Sequence, residues 1–157
     1  MGVELKPVTI DNWYACTQLQ AKEEQQSVFP APVVYWIAES KYSADFELRA
    51  VYADDREAER LVGFIVFCPK PDKDGNCWIP ALLIDGRHQG KGYGRAAMER
   101  LIACMTEMNC ARLMIGHRPN NAIAGRLYES LGFKKVNDDE IDGEIVRLLV
   151  TGGALPE

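Results

Sequence analysis

The chain has 157 residues, 47% hydrophobic and 26% charged, with a formal net charge of −5; this is ordinary composition for a single soluble globular domain over residues 1–157. The acidic balance disfavours general nucleic-acid binding, which needs a basic surface, and no apolar run approaches the ~20 residues of a membrane span. The opening Met1-Gly2-Val3-Glu4-Leu5-Lys6 lacks the regions of a signal peptide, so the expectation is a cytoplasmic protein without nucleic-acid or membrane partners.

In chain order, residues 3–8 alternate enough for a first strand. Thr9 or Asp11 can then cap a helix with Trp13, Cys16 and Leu19 on its apolar side, fading over residues 23–27. Pro30 and Pro32 break regular structure, because the residue before a proline is pushed out of the α region. A second short helix, about 33–40, carries Tyr35 and Trp36. Residues 46–52 and 61–68 read as a hairpin around an acidic turn, and 69–76 as a loop. The apolar run 78–84 is a strand cut off by Asp85-Gly86. After Arg87-His88-Gln89-Gly90-Lys91-Gly92-Tyr93-Gly94, a helix from near Arg95 carries Ala97, Leu101, Cys104, Met105 and Met108 on one face. Residues 112–116 give another strand, parallel to 78–84 if the helix crosses over right-handedly. A helix from Asn121 ends at Gly132, and strands 134–137 and 144–150 flank a last acidic turn. The five cysteines, Cys16, Cys68, Cys77, Cys104 and Cys110, are odd in number and without Cys-x-x-Cys spacing. They read as buried free thiols, with no disulfide framework and no metal site.

The glycine loop carries the first chemical signal. Three glycines at alternate positions let φ turn positive and leave backbone N–H groups facing the space before a helix N-terminus, where anions bind. Arg87, Lys91 and Arg95 make residues 86–95 locally cationic within an acidic chain. Gly-Lys-Ser/Thr is absent, which disfavours a nucleotide P-loop, and Arg95 stands where a dinucleotide fingerprint needs its third glycine.

Gln89-x-x-Gly92-x-Gly94 between strand and helix resembles the pyrophosphate loop of the GNAT acyl-CoA-dependent N-acyltransferases. The segment Asn121-Ala122-Ile123-Ala124-Gly125-Arg126-Leu127-Tyr128-Glu129-Ser130-Leu131-Gly132-Phe133 resembles the family's second motif, at the expected distance. Asn121, Ala124 and Tyr128, spaced i, i+3, i+7, share one helix face. The resemblance covers nearly the whole chain. It implies an α/β GNAT fold, a mixed six- to seven-stranded sheet with helices on both faces, and acetyl-CoA as co-substrate without a metal. Backbone groups of Leu82, Leu83 and Ile84 would orient the acyl arm. Gln89, Gly90, Lys91, Gly92, Tyr93, Gly94 and Arg95 would hold the pyrophosphate, the helix dipole adding about 0.3–1 kcal/mol. Asn121, Ala122, Ile123 and Ala124 would border the arm's other side. Glu23, Glu24, Phe29, Tyr35 and Trp36 fall in the region that lies over the acceptor in this family.

Tyr128 is the implied acid. A thiol leaving group titrates near 8.5 and a phenol near 10, so at pH 7 the hydroxyl is protonated and can donate, against a deficit of roughly 2 kcal/mol. Within the family the words around Glu24, residues 78–85 and the glycine loop are most similar to bacterial spermine/spermidine (diamine) acetyltransferases. The resemblance implies an acid two places after the strand's Trp, where this chain has Pro80. His117, with an ordinary pKa near 6.5, is the candidate substitute base through a water. The expected partner is a small cationic amine, with a homodimer left open. Another amine acceptor (an arylalkylamine, an aminoglycoside or a protein N-terminus) and a non-catalytic acyl-CoA sensor remain as alternatives.

Overall fold

The computed structural model describes residues 2–22, 31–43, 45–54 and 58–151. Strand β1 (Val3–Pro7) is followed by one short helix, α1 (Trp13–Thr17). Asn12 stands at its N-cap, and the Asn12 side chain accepts from the Thr9 N–H at 2.7 Å. The helix ends at Thr17, earlier than the apolar pattern through Leu19 implies. The Leu19 N–H bonds the Cys16 carbonyl, which keeps Leu19 in the core beyond the helix. Helix α2 (Val33–Tyr42) starts directly after Pro32, whose extended backbone occupies the N-cap.

Strands β2 (Glu47–Asp54) and β3 (Glu59–Cys68) form the expected antiparallel pair. Residues 62–67 of β3 are all buried, as a central strand covered on both faces requires. Strand β4 (Cys77–Ile84) leads through one 3₁₀ turn (Gly86–His88) to α3 (Tyr93–Glu107), β5 (Arg112–His117), α4 (Ala122–Ser130), β6 (Lys134–Lys135) and β7 (Ile145–Val150). The sheet order is β1-β2-β3-β4-β5-β7-β6, and only β4 and β5 run parallel.

The helices cover both faces, as expected. Ala97, Met98, Leu101 and Met105 of α3 and Tyr128 of α4 pack with Ile65, Phe67, Ile79, Leu113 and Ile115 on one side. Cys16, Leu19, Val33 and Trp36 meet Ala50, Phe64 and Val66 on the other. The five thiols are free, with Cys68 and Cys104 half-buried and the other three buried.

Two irregularities build the site. Val66 pairs with Ala81 and Cys68 with Trp78, so Ile79 and Pro80 together oppose Phe67 alone. This is a β-bulge, and it explains a proline inside a central strand, because the bulged residue owes no N–H to the ladder. β4 then pairs with β5 only from Cys77 to Ile79 (against Leu113 to Ile115). Past the bulge the two strands part.

Candidate active site

The parted strands leave two cavities that meet at Leu82, Asn121 and Tyr128. A cleft of about 420 Å³ is lined by Leu82 and Ile84 of β4, the glycine loop, and Asn121, Ala124 and Leu127 of α4. A notch of about 40 Å³ lies between Pro80 and Ala81 on one side and Gly116, His117 and Glu144 on the other. Tyr128 and Asn121 line both.

The cleft is shaped by backbone conformation. Gly90 and Gly92 take φ of +79° and +86°, a region costly for any residue with a Cβ. Gly94 does not share this role, since it lies inside α3, whose first residue is Tyr93 rather than one near Arg95. With Gly92 as N-cap there is no capping side chain, so the N–H groups of Tyr93, Gly94 and Arg95 have no intrahelical acceptor. The loop is pinned from below: Gln89 Nε2 donates to the Ile84 carbonyl at 2.9 Å. Asp85 Oδ1 accepts from the Arg87 N–H and Nε, and Oδ2 from the Gln20 N–H at 3.1 Å. Burial raises the cost of the Asp85 charge, but the bonds from Arg87 and Gln20 outweigh it and hold the carboxyl below its usual range.

Helix α4 is fixed at both ends. Asn121 caps it, its Oδ1 accepting from the Ala124 N–H at 3.2 Å. At the other end Gly132 (φ +102°) donates to the Glu129 carbonyl and Phe133 to that of Tyr128, a Schellman closure. Tyr128 is thereby 6% exposed, ringed by His117 and Phe133 at centroid distances of 6.0 and 6.1 Å. Burial, and after it the charge of Glu144, push its phenol well above the ordinary value, so it stays protonated through any neutral assay. Among the described residues its hydroxyl has no hydrogen-bond partner.

His117 is also 6% exposed, and both ring nitrogens are engaged. Nδ1 lies 2.9 Å from the Arg118 carbonyl and so carries the proton, while Nε2 accepts from Arg147 Nε at 3.1 Å. Burial first, and the Arg147 charge with it, lower its pKa against an opposing pull from the Arg118 carbonyl. The lone pair expected to act as base is occupied.

The remaining expected residues divide. Leu82 and Ile84 face the cleft, whereas Leu83 lines an apolar cavity of about 330 Å³ on the sheet's other side, with Trp36, Phe64 and Ala81. Tyr93, Arg95 and Ile123 line the cleft; Lys91 and Ala122 are exposed and do not. Trp36 borders the apolar cavity and its buried Nε1 has no partner among the described residues, but Tyr35 is half exposed beside Glu39. Glu23, Glu24 and Phe29 lie outside the described residues.

Among the lining residues that escaped the sequence reading are a lysine and a glutamate. Lys22 stands at the cleft's edge, and no local pattern around it marks that position. Glu144 enters the notch, and it had a signal: a lone glycine in a strand, here Gly116, marks close approach of another group.

Comparison with known proteins shows the family and the fold. Residues 12–133 match the profile described as the Acetyltransferase (GNAT) family. The chain belongs to the GNAT acetyltransferases. It is 30% identical over 152 residues to the spermine/spermidine N(1)-acetyltransferase of Bacillus subtilis, covering 93% of this chain and 97% of that one. The same fold occurs in yncA of Salmonella typhimurium, solved with its cofactor acetyl-CoA (TM-score 0.70, 18% identity, 100% and 99% of the two chains). It occurs too in the ribosomal-protein-S18-alanine N-acetyltransferase of Escherichia coli (TM-score 0.68, 20% identity, 99% of each chain). As a GNAT N-acetyltransferase the chain is an enzyme. Among its described residues no helix is long and apolar enough to cross a membrane, and no group of three His, Cys, Asp or Glu side chains could hold a metal ion.

Proposed function

We propose that the enzyme transfers the acetyl group of acetyl-CoA directly to a primary amine of a small cationic acceptor, a polyamine such as spermidine or spermine. The observation that carries this reading is the position of Tyr128, whose side chain lines both the glycine-loop cleft and the notch at the strand split. The free N–H groups of Tyr93, Gly94 and Arg95 suit a pyrophosphate. Beyond Ile79, β4 has no ladder partner on its β5 side, which leaves backbone groups there for the acyl arm. Ile84 is the least available of these, since Gln89 already holds its carbonyl.

Bound acetyl-CoA supplies the thioester carbonyl. The amine starts as R–NH₃⁺ and first gives one proton to solvent. Its lone pair then attacks the carbonyl carbon, the C–N bond forms, and the C–S bond breaks with its electrons on sulfur. The Tyr128 hydroxyl hydrogen-bonds that sulfur and relays to it the nitrogen's surplus proton, so the phenol stays protonated throughout. The sum is R–NH₃⁺ and acetyl-CoA giving the acetamide, CoA–SH and one proton. His117 would have to release Arg147 before taking a proton through a water, so its part in this reading is to shape the notch.

Support for a polyamine comes from the length of the Bacillus relative's match and from a groove of about 420 Å³ that shares Pro80 with the notch. Phe46, Trp78 and Pro71 offer it apolar walls for methylene stems, and Asp72 offers a carboxylate for a distal cation, while Asp45 is paired with Lys70 at 3.9 Å on the same wall. Hydrogen bonds from the Asn76 N–H and then the Trp78 indole hold Asp72 ionised below the usual range. A second reading, an arylalkylamine acceptor, rests on the apolar cavity around Trp36. Thiol release with spermidine, an arylalkylamine and an N-terminal alanine peptide separates them. Preference for spermidine is expected; turnover of the other two without spermidine would overturn the polyamine reading.

A further inference from the structure

The sequence lacks the strand acid at position 80, yet the notch does not lack a carboxylate. Glu144 reaches it from the turn that precedes β7, the strand beside β5. Asp142 and Gly143 take φ of +52° and +82°, and Ile141 and Glu144 exchange backbone hydrogen bonds at 2.8 and 3.0 Å. Positive φ at both central positions is the tight two-residue hairpin turn that Asp-Gly favours. It fixes Glu144 just before β7, whose first residues Ile145 and Val146 pair with His117 and Gly116 at the end of β5.

The side chain then folds over Gly116. A Cβ on Gly116 would collide with Glu144 Oε1 and lie 3.4 Å from its Cδ, so the glycine is what lets the carboxylate rest there. Glu144 is half-buried and lines the notch with Tyr128, His117 and Pro80. Among the described residues its carboxylate forms no hydrogen bond and no ion pair. Nearby Arg147 is turned to His117 instead. A half-buried anion without a donor is costly unless a cation is supplied. The notch, about 40 Å³, exceeds the roughly 10–15 Å³ that one water needs, which suits an ammonium head and excludes a bulky group.

We infer that Glu144 is the carboxylate that receives the acceptor's primary ammonium beside Tyr128, supplying from β7 the acid that β4 lacks at Pro80. The inference rests on the amine-acetylation reading above. Glu144 selects for a cationic acceptor and sets the nitrogen next to the thioester; it lines the notch and not the glycine-loop cleft, so acetyl-CoA binding is independent of it.

The test compares wild type, Glu144→Gln and Gly116→Ala, which dislodges the carboxylate without removing its charge. Two acceptors are used: spermidine, and an acyl hydrazide whose terminal amine is uncharged at neutral pH. Both variants are expected to raise the spermidine KM by roughly 10- to 100-fold. The hydrazide KM and the acetyl-CoA KM should stay within about twofold. Calorimetric titration of spermidine into CoA-loaded protein gives a readout that needs no turnover, and Glu144→Gln should weaken that binding by a similar factor. Unchanged spermidine KM and affinity in Glu144→Gln would overturn the assignment, as would equal losses on the two acceptors. Wild type that binds spermidine through Glu144 yet acetylates no amine would sink the proposed function and leave this assignment standing.

Discussion

Arg147 Nε donates to Nε2 of His117 at 3.1 Å, with both side chains 6% exposed. The bond requires a neutral imidazole. Protonating His117 would replace its acceptor with a second cation facing the guanidinium, near Lys135, with only the Arg118 carbonyl and Glu144 pulling the other way.

The folded pKa of His117 therefore lies below the ordinary 6.5, and the unfolded chain binds its proton first as pH falls. Stability from this pair is fully present above about pH 6.5 and is lost as pH drops toward the folded value. Melting temperature measured from pH 8 to 5 is expected to fall more steeply below 6.5 in wild type than in His117→Gln. Parallel curves would show that the pair contributes nothing to acid sensitivity.

Tyr128→Phe removes a hydroxyl that bonds nothing among the described residues but lines both cavities. It is expected to lower kcat by about 10²- to 10³-fold, to change the acetyl-CoA KM by less than about threefold, and to leave the melting temperature nearly unchanged. A large stability loss with kcat intact would make Tyr128 a packing residue.

Gly92 holds φ at +86° with no side chain at the mouth of α3. Gly92→Ala is expected to cost about 1–2 kcal/mol of stability and to weaken CoA binding in a calorimetric titration, since the Tyr93, Gly94 and Arg95 amides would turn away. Retained affinity would remove those amides from the phosphate site.

Much of this architecture was readable in the sequence, because its signals are local. The 3.6-residue period gave α3 and α4, and the Asn121 cap and Gly132 terminus are side-chain and glycine effects within a few residues. The missing parts depend on distant partners. Nothing near Pro80 announces a bulge; it follows from the pairing of β4 with β3. Helix α1 stops at Thr17 because residues 18–22 turn to meet Asp85, with Gly86 donating to Gln20. The His117 lone pair looked free until β7 brought Arg147 beside it, and Glu144 came to the notch by the same strand pairing.

Asp85 is the buried acceptor for the Gln20 and Arg87 N–H groups. Asp85→Ala leaves both without an acceptor, an expected loss of about 1–3 kcal/mol in urea unfolding. CoA affinity should fall with it, because Lys22 and the glycine loop are held through this junction. A variant as stable as wild type would show the donors to be solvated.

The most direct test of acetyl transfer to a polyamine is to incubate the enzyme with acetyl-CoA and spermidine and measure free thiol and the mass of the amine together. The account predicts one CoA thiol per acetylated spermidine, heavier by one acetyl group in place of a hydrogen, with no thiol release when the amine is omitted. Acetyl-CoA binding without thiol release on any amine would contradict it and leave a protein that holds the cofactor and does no chemistry.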